Sequence, residues 1–294
     1  MKSRDILFAI AVGDAIGAGC EYANENVEAC ASLQGYVKHP KHPLPAGFYT
    51  DDTQMSLANA EYLLSPSFPT VESDVVQYWL DVFHRDQRQG YAGSFYLFLL
   101  GHTDKENFVK DVINTSDKSG AAMRAGVFGF LSEAWQAMHF AICGAAFTHN
   151  TMIGRNSAAC AALMVWYFRN GGTKSRLMPF LKSRISNFGS NIQWSDIVPW
   201  NGKVRAQGHM HIAAAITAIL ESDSYSDVLR KCCKFTGDTD TVAAIAMAVA
   251  SQCPEIDPEI PDVLYETLEN GEYGRDYLIK ISQMLETQFP RAVD

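Results

Sequence analysis

Thr50-Asp51-Asp52-Thr53 and Gly237-Asp238-Thr239-Asp240-Thr241 decide how this chain is read. Each packs carboxylates and hydroxyls together and then runs into an apolar stretch. Met55, Leu57 and Ala58 follow the first, and Val242, Ile245 and Val249 follow the second. That pattern puts both clusters at the mouths of helices, with the acids at helix N-termini. Asp and Thr are ordinary capping residues, and an acid in the first turn suits the helix dipole. A cap needs only one such side chain, however, and the second Asp of each cluster has no capping duty. If the two clusters close on one pocket, four carboxylates meet there and require cations to neutralise them. Hard oxygen ligands of this kind suit Mg²⁺ or Mn²⁺.

Helical patterns continue on either side. Ile212, Ile216, Ile219 and Leu220 recur at helical spacing, as do Leu163, Trp166 and Tyr167. Ala158 to Ala162 and Ala243 to Ala250 are alanine-rich, which lets helices approach closely. No convincing alternating strand occurs. Breaks fall at Lys38-His39-Pro40-Lys41-His42-Pro43, Ser65-Pro66-Ser67-Phe68-Pro69, Gly171-Gly172 and Cys253-Pro254. The first of these is read as a solvated loop in preference to a lid. No low-complexity linker or repeat divides the chain. The expectation is one all-α domain spanning residues 1–294.

Composition limits the function classes. The 294 residues are 47% hydrophobic and carry 16 Phe, 12 Tyr and 5 Trp, so the chain is globular. Its net charge of −9 offers no basic face for nucleic acid. A phosphate-bearing substrate would need local help from metals or helix N-termini. The seven cysteines include no CxxC and sit mostly in apolar helical context. They read as reduced, in a cytoplasmic compartment, with neither a disulfide framework nor a zinc site. The apolar run Ile6 to Val12 is too short to span a membrane and reads as a core helix.

Three further segments carry polar or small residues that a core helix does not explain. Gly13-Asp14-Ala15-Ile16-Gly17 places an acid inside an apolar helix, with Glu21 shortly after. A buried carboxylate needs a partner, and Asp14 is read either as bonding a loop amide or as supporting the site from behind. Ser119-Gly120-Ala121-Ala122-Met123-Arg124 is a small-residue turn that opens into a helix, where free amides could receive phosphate. Phe147-Thr148-His149-Asn150 ends a helical stretch.

Taken in order, these elements resemble the ADP-ribosylglycohydrolases. The resemblance runs through Gly13 to Gly17 with Glu21, Thr50 to Thr53, Gly120 to Arg124, Thr148-His149 and Gly237 to Thr241. It implies a compact orthogonal bundle of helices around a central dimetal cleft. Carried over by position, the ligands of two Mg²⁺ or Mn²⁺ ions would be Thr50, Asp51, Asp52, Asp238, Asp240 and Thr241. Glu21 would face the ribose and the scissile bond, with Asp51 and Asp52 as further catalytic carboxylates. Ser119, Gly120, Ala121 and Met123 would hold the diphosphate, with His149 beside it. The implied reaction is hydrolysis at C1 of the distal ribose of an ADP-ribosylated protein or small-molecule conjugate, with no membrane partner. The alternative within the same fold is a non-catalytic ADP-ribose binder, or a structural member like the lens crystallins.

The chain departs from the family pattern at Ser119, where Asn is common, and at Asn150, where an acid is common. It also carries Gly208-His209-Met210-His211, whose two histidines cannot share a helix face. They are read as local variation rather than as a second metal site.

Overall fold

A computed structural model describes residues 1–69, 71–189 and 192–291. Among these residues the chain forms sixteen α-helices and no sheet. The first eight are α1 (Ile6–Ala18), α2 (Val27–Ser32), α3 (Asp51–Leu63), α4 (Asp74–Arg85), α5 (Gly93–Leu100), α6 (Lys105–Asp111), α7 (Gly120–Ala125) and α8 (Ala134–Ala146). They are followed by α9 (Met152–Arg169), α10 (Lys174–Lys182), α11 (Trp194–Ile197), α12 (Gly208–Leu220), α13 (Tyr225–Phe235), α14 (Thr239–Gln252), α15 (Asp262–Glu266) and α16 (Arg275–Gln288). The all-helical expectation holds, and the four breaks fall between helices.

Two helices make the centre. Every residue of α1 and every residue of α14 is buried. A helix that is apolar on all sides is stable only when surrounded, and these two pack chiefly on each other. Their sequences allow unusually close approach. A side chain at Gly13 would begin 2.5 Å from the Ala243 carbonyl oxygen, and one at Gly17 would begin 2.3 Å from the Asp240 Cα. Thr239 Oγ1 donates to the Gly17 carbonyl at 2.8 Å, which fixes the register of the crossing. Helices α3, α9, α12, α13 and α16 surround this pair. The buried apolar residues form one cluster running from Ile6 to Leu285. No helix among the described residues is long and apolar enough to cross a membrane.

Candidate functional site

The close crossing brings the first turns of α3 and α14 together beside the middle of α1. Asp14 lies fully buried in α1 and accepts four hydrogen bonds. Thr50 donates its backbone N–H at 2.9 Å and its hydroxyl at 2.8 Å. Thr53 donates its N–H at 3.1 Å and its hydroxyl at 2.6 Å. The two threonines of the first cluster therefore hold the start of α3 onto α1, and neither makes a side-chain cap within its own helix. Asp51 and Asp52 are left to face the site. Asp14→Ala would strand two buried helix-terminal N–H groups, at a cost of about 3 kcal/mol or more. Chemical denaturation should read that loss, and an unchanged midpoint would show that α3 is held elsewhere.

Asp52 lies between the two clusters. Its Oδ2 is 3.5 Å from Thr50 Oγ1 and 3.4 Å from Thr241 Oγ1, the latter on α14. Its Oδ1 is buried and has no hydrogen-bond partner in the protein. A buried carboxylate oxygen without a donor is costly, and a cation is the natural occupant of the space it faces. On the far side, carboxylate oxygens of Glu21, Asp238 and Asp240 lie within 4.8 Å of one another, close enough to share a cation. Asp240 Oδ1 accepts from the Thr241 N–H at 2.9 Å.

The electrostatics agree with this crowding. Burial pushes the Asp51, Asp52 and Asp240 carboxyls well above the usual range, and their acidic neighbours push them further. Glu21 is raised to about 7 by burial and then by Asp238, Asp14 and Cys20. Asp238 is the exception. Burial opposes its charge, yet the His211 ring holds it below the ordinary carboxylate value. His211 Nε2 lies 3.0 Å from Asp238 Oδ2, and its Nδ1 is 3.0 Å from the Gln207 carbonyl oxygen. Asp238 is thus the acid of the cluster that faces an imidazole.

Gly90 sets the position of Asp51. Its φ is +108°, and a side chain there would begin 2.1 Å from Asp51 Oδ1 and 2.8 Å from Thr50 Cβ. The same loop accepts the Asp51 N–H on the Gln89 carbonyl at 3.0 Å. Gly90→Ala should displace the Asp51 carboxylate and lower Mn²⁺ affinity by about 10–100-fold. Calorimetric titration checks this, and wild-type affinity would show that Asp51 can turn away at no cost.

The small-residue turn lies along α3. Ser56 Oγ donates to the Met123 carbonyl at 3.1 Å, and Asn59 Nδ2 donates to the Arg124 carbonyl at 2.7 Å. The Met123 N–H is already bonded to the Ser119 carbonyl, whereas Gly120 and Ala121 begin the helix. The ring of His149 lies against Gly120. Arg124 donates to Thr148 Oγ1 at 2.7 Å, and that hydroxyl is 2.7 Å from His149 Nδ1. Arg124 and Thr148 thus hold one edge of the His149 ring and turn Nε2 toward Gly120. Burial, with Arg124 and Lys118 nearby, lowers the His149 pKa to about 3, so the ring is neutral.

Of the residues singled out in the sequence, the structure brings Glu21, Asp238 and Asp240 together, links Asp52 to Thr50 and Thr241, and sets His149 against Gly120, while the Met123 N–H is taken up within its own helix. Helical spacing does separate His209 from His211. His211 nevertheless reaches Asp238, a contact that spacing along α12 cannot reveal. His39, in the segment read as a solvated loop, is buried. Its Nδ1 accepts the Lys41 and His42 N–H groups at 3.1 and 2.9 Å, which leaves Nε2–H to donate to the Glu21 carbonyl at 2.8 Å. The loop is therefore tied to the backbone of Glu21. Gly90 carried no signal, since an isolated glycine beside a helix has many explanations.

No curated protein matches this sequence. Among solved structures, the chain is similar to one described as an ADP-ribosylglycohydrolase-related protein complex. The TM-score is 0.70 over 97% of each chain, at 20% identity, which is a likeness of fold. The sequence model of the ADP-ribosylglycohydrolases matches residues 2–292. That match covers all five motifs, so the chain is a member of the ADP-ribosylglycohydrolase family.

Proposed function

We propose that this protein is a metal-dependent hydrolase that cleaves the glycosidic bond at C1 of the distal ribose of ADP-ribose conjugates, releasing ADP-ribose. One observation carries the reading. Glu21, Asp238 and Asp240 converge on one point, Asp52 Oδ1 is buried without a donor, and burial and acidic neighbours push up the Glu21, Asp52 and Asp240 carboxyls. The donor set is all hard oxygen, and it fits Mg²⁺ or Mn²⁺. Thr50, Asp51, Asp52, Asp238, Asp240 and Thr241 would hold two such ions. When bound, the ions would orient ribose hydroxyls and lower the pKa of a coordinated water.

The remaining work falls to side chains of the chain itself. Asp14, Thr53, His211 and Gly90 keep the ligating carboxylates in place. Glu21, raised to about 7, can accept or give a proton near neutral pH. Its charge also stabilises the oxocarbenium-like centre that forms as the C1 bond breaks. Water supplies hydroxyl to C1, and its proton passes to the departing acceptor. The first turn of α7 offers neutral donors suited to a diphosphate, and the neutral His149 ring lies beside them. Turnover of a panel of arginine-, serine- and O-acetyl-linked ADP-ribosyl conjugates tests the reading. Activity on at least one, lost in EDTA and restored by Mg²⁺ or Mn²⁺, is expected; full activity in metal-free buffer would sink it.

Glu21→Gln should lower kcat by about 10²-fold or more with little change in affinity for ADP-ribose. The carboxylate acts on charge that exists only at the transition state, whereas a lost ligand would weaken metal uptake as well. Unchanged kcat at saturating metal would move the reacting group to Asp51 or Asp52.

A further inference from the structure

A second group of metal-ligating side chains lies outside the acid cluster. His139 and Cys143 sit four residues apart on α8 and share one face of it. Glu72, just before α4, meets them from another part of the chain. Its Oε1 is 3.2 Å from His139 Nε2, and Cys143 Sγ is 3.8 Å from the same nitrogen. Single ligand atoms of all three residues lie within 4.8 Å of one another. Tetrahedral zinc, with bonds of about 2.0 Å to nitrogen or oxygen and 2.3 Å to sulfur, holds neighbouring ligand atoms about 3.3–3.6 Å apart. Rotamer adjustments of the three side chains would bring the atoms from within 4.8 Å to that spacing.

The simpler reading is an exposed Glu72–His139 ion pair, with Cys143 a bystander. An exposed pair of that kind contributes little stability, and it leaves unused the thiol that helical spacing places 3.8 and 3.9 Å from the two nitrogens of the same ring. The donor chemistry also differs from that of the acid cluster. One sulfur, one imidazole and one carboxylate suit a borderline-soft dication and discriminate against Mg²⁺. Cys143 is also the only one of the seven cysteines that is not buried. It is therefore accessible to an ion from solvent.

The geometry points to a zinc site formed by Glu72, His139 and Cys143, with water in the fourth position. It would tie α8 to the start of α4. The α8 helix leads directly into Thr148 and His149, so the clip would steady the segment that presents the His149 ring.

The test uses the full chain with the acid cluster saturated by Mg²⁺. Co²⁺ is the probe, because only a thiolate ligand gives an intense near-ultraviolet charge-transfer band. Wild type and Asp240→Asn should both show the band, and added Zn²⁺ should bleach it. Cys143→Ser and His139→Gln should lack it while keeping the wild-type circular dichroism. Zn²⁺ should also slow alkylation of Cys143 at least tenfold, and Mg²⁺ should not. Absence of the band at saturating Co²⁺, its persistence in Cys143→Ser, or an alkylation rate indifferent to Zn²⁺ would each overturn the assignment.

Discussion

Asp240→Asn is expected to lower kcat/KM for an ADP-ribosylated substrate by about 10³-fold, on the reasoning that a metal-held charge at a reacting centre is worth about 4 kcal/mol. In the same variant the metal-free protein should melt higher than wild type. Both results follow from the packing of Asp240 against Glu21, Asp238 and Asp52. Its carboxyl is buried and raised well above the usual range by burial and then by these neighbours. Asparagine has nearly the same shape, keeps an oxygen for the Thr241 N–H, and carries no charge. Removing one charge relieves the crowding while removing a ligand. Enzyme assay with Mn²⁺ and calorimetry in EDTA check the two halves. A drop in both activity and metal-free stability would instead mean that Asp240 serves the fold.

The second large effect is on pH and metal together. Glu21, Asp51, Asp52 and Asp240 all have folded pKa values above their unfolded ones. The folded state therefore binds more protons than the unfolded state as pH rises above the ordinary carboxylate range. Stability conferred by the protonated forms is fully present below the unfolded pKa and is lost as pH rises through the folded pKa. For Glu21 the window runs from 4.5 to about 7. Its share is roughly 3–4 kcal/mol at about 1.4 kcal/mol per unit. Asp238, held low beside His211, contributes in the opposite direction. The metal-free protein should accordingly melt about 5 °C or more higher at pH 5 than at pH 7.5. Mn²⁺ should raise the melting temperature far more at pH 7.5 than at pH 5, because the ion binds the deprotonated acids. A pH-independent response to Mn²⁺ would mean that the acids are already ionised without it.

The sequence discloses this molecule unevenly, and the reason is the range over which each signal acts. Helices α9, α12 and α14 could be read from apolar spacing and α1 from its continuous apolar run, since both signals are local. The two acidic clusters were equally legible, because their carboxylates and threonines are adjacent in the chain. The division of labour within them was not. Thr50 and Thr53 look like caps or ligands, and only the position of α1 shows that both donate to Asp14. His211, His39 and Gly90 were hidden for the same reason: each acts on a residue supplied by another element. Spacing along α12 puts His209 and His211 on different faces of one helix, whereas what packs on each face is a tertiary fact.

The crossing of α1 and α14 bears on how the chain is made. Thr239 and Gly17 touch across 222 positions of sequence. During synthesis, α1 leaves the ribosome first, and its partner is translated only after most of the polypeptide. Over that interval a helix with no polar face has no native surface to cover it, and half of the acid cluster waits for the other half. Chains that stop before residue 252 should therefore be captured by chaperones or aggregate rather than persist as partly active fragments. The feature that makes the site rigid in the finished protein is, for the growing chain, a contact that waits until most of the polypeptide has been translated.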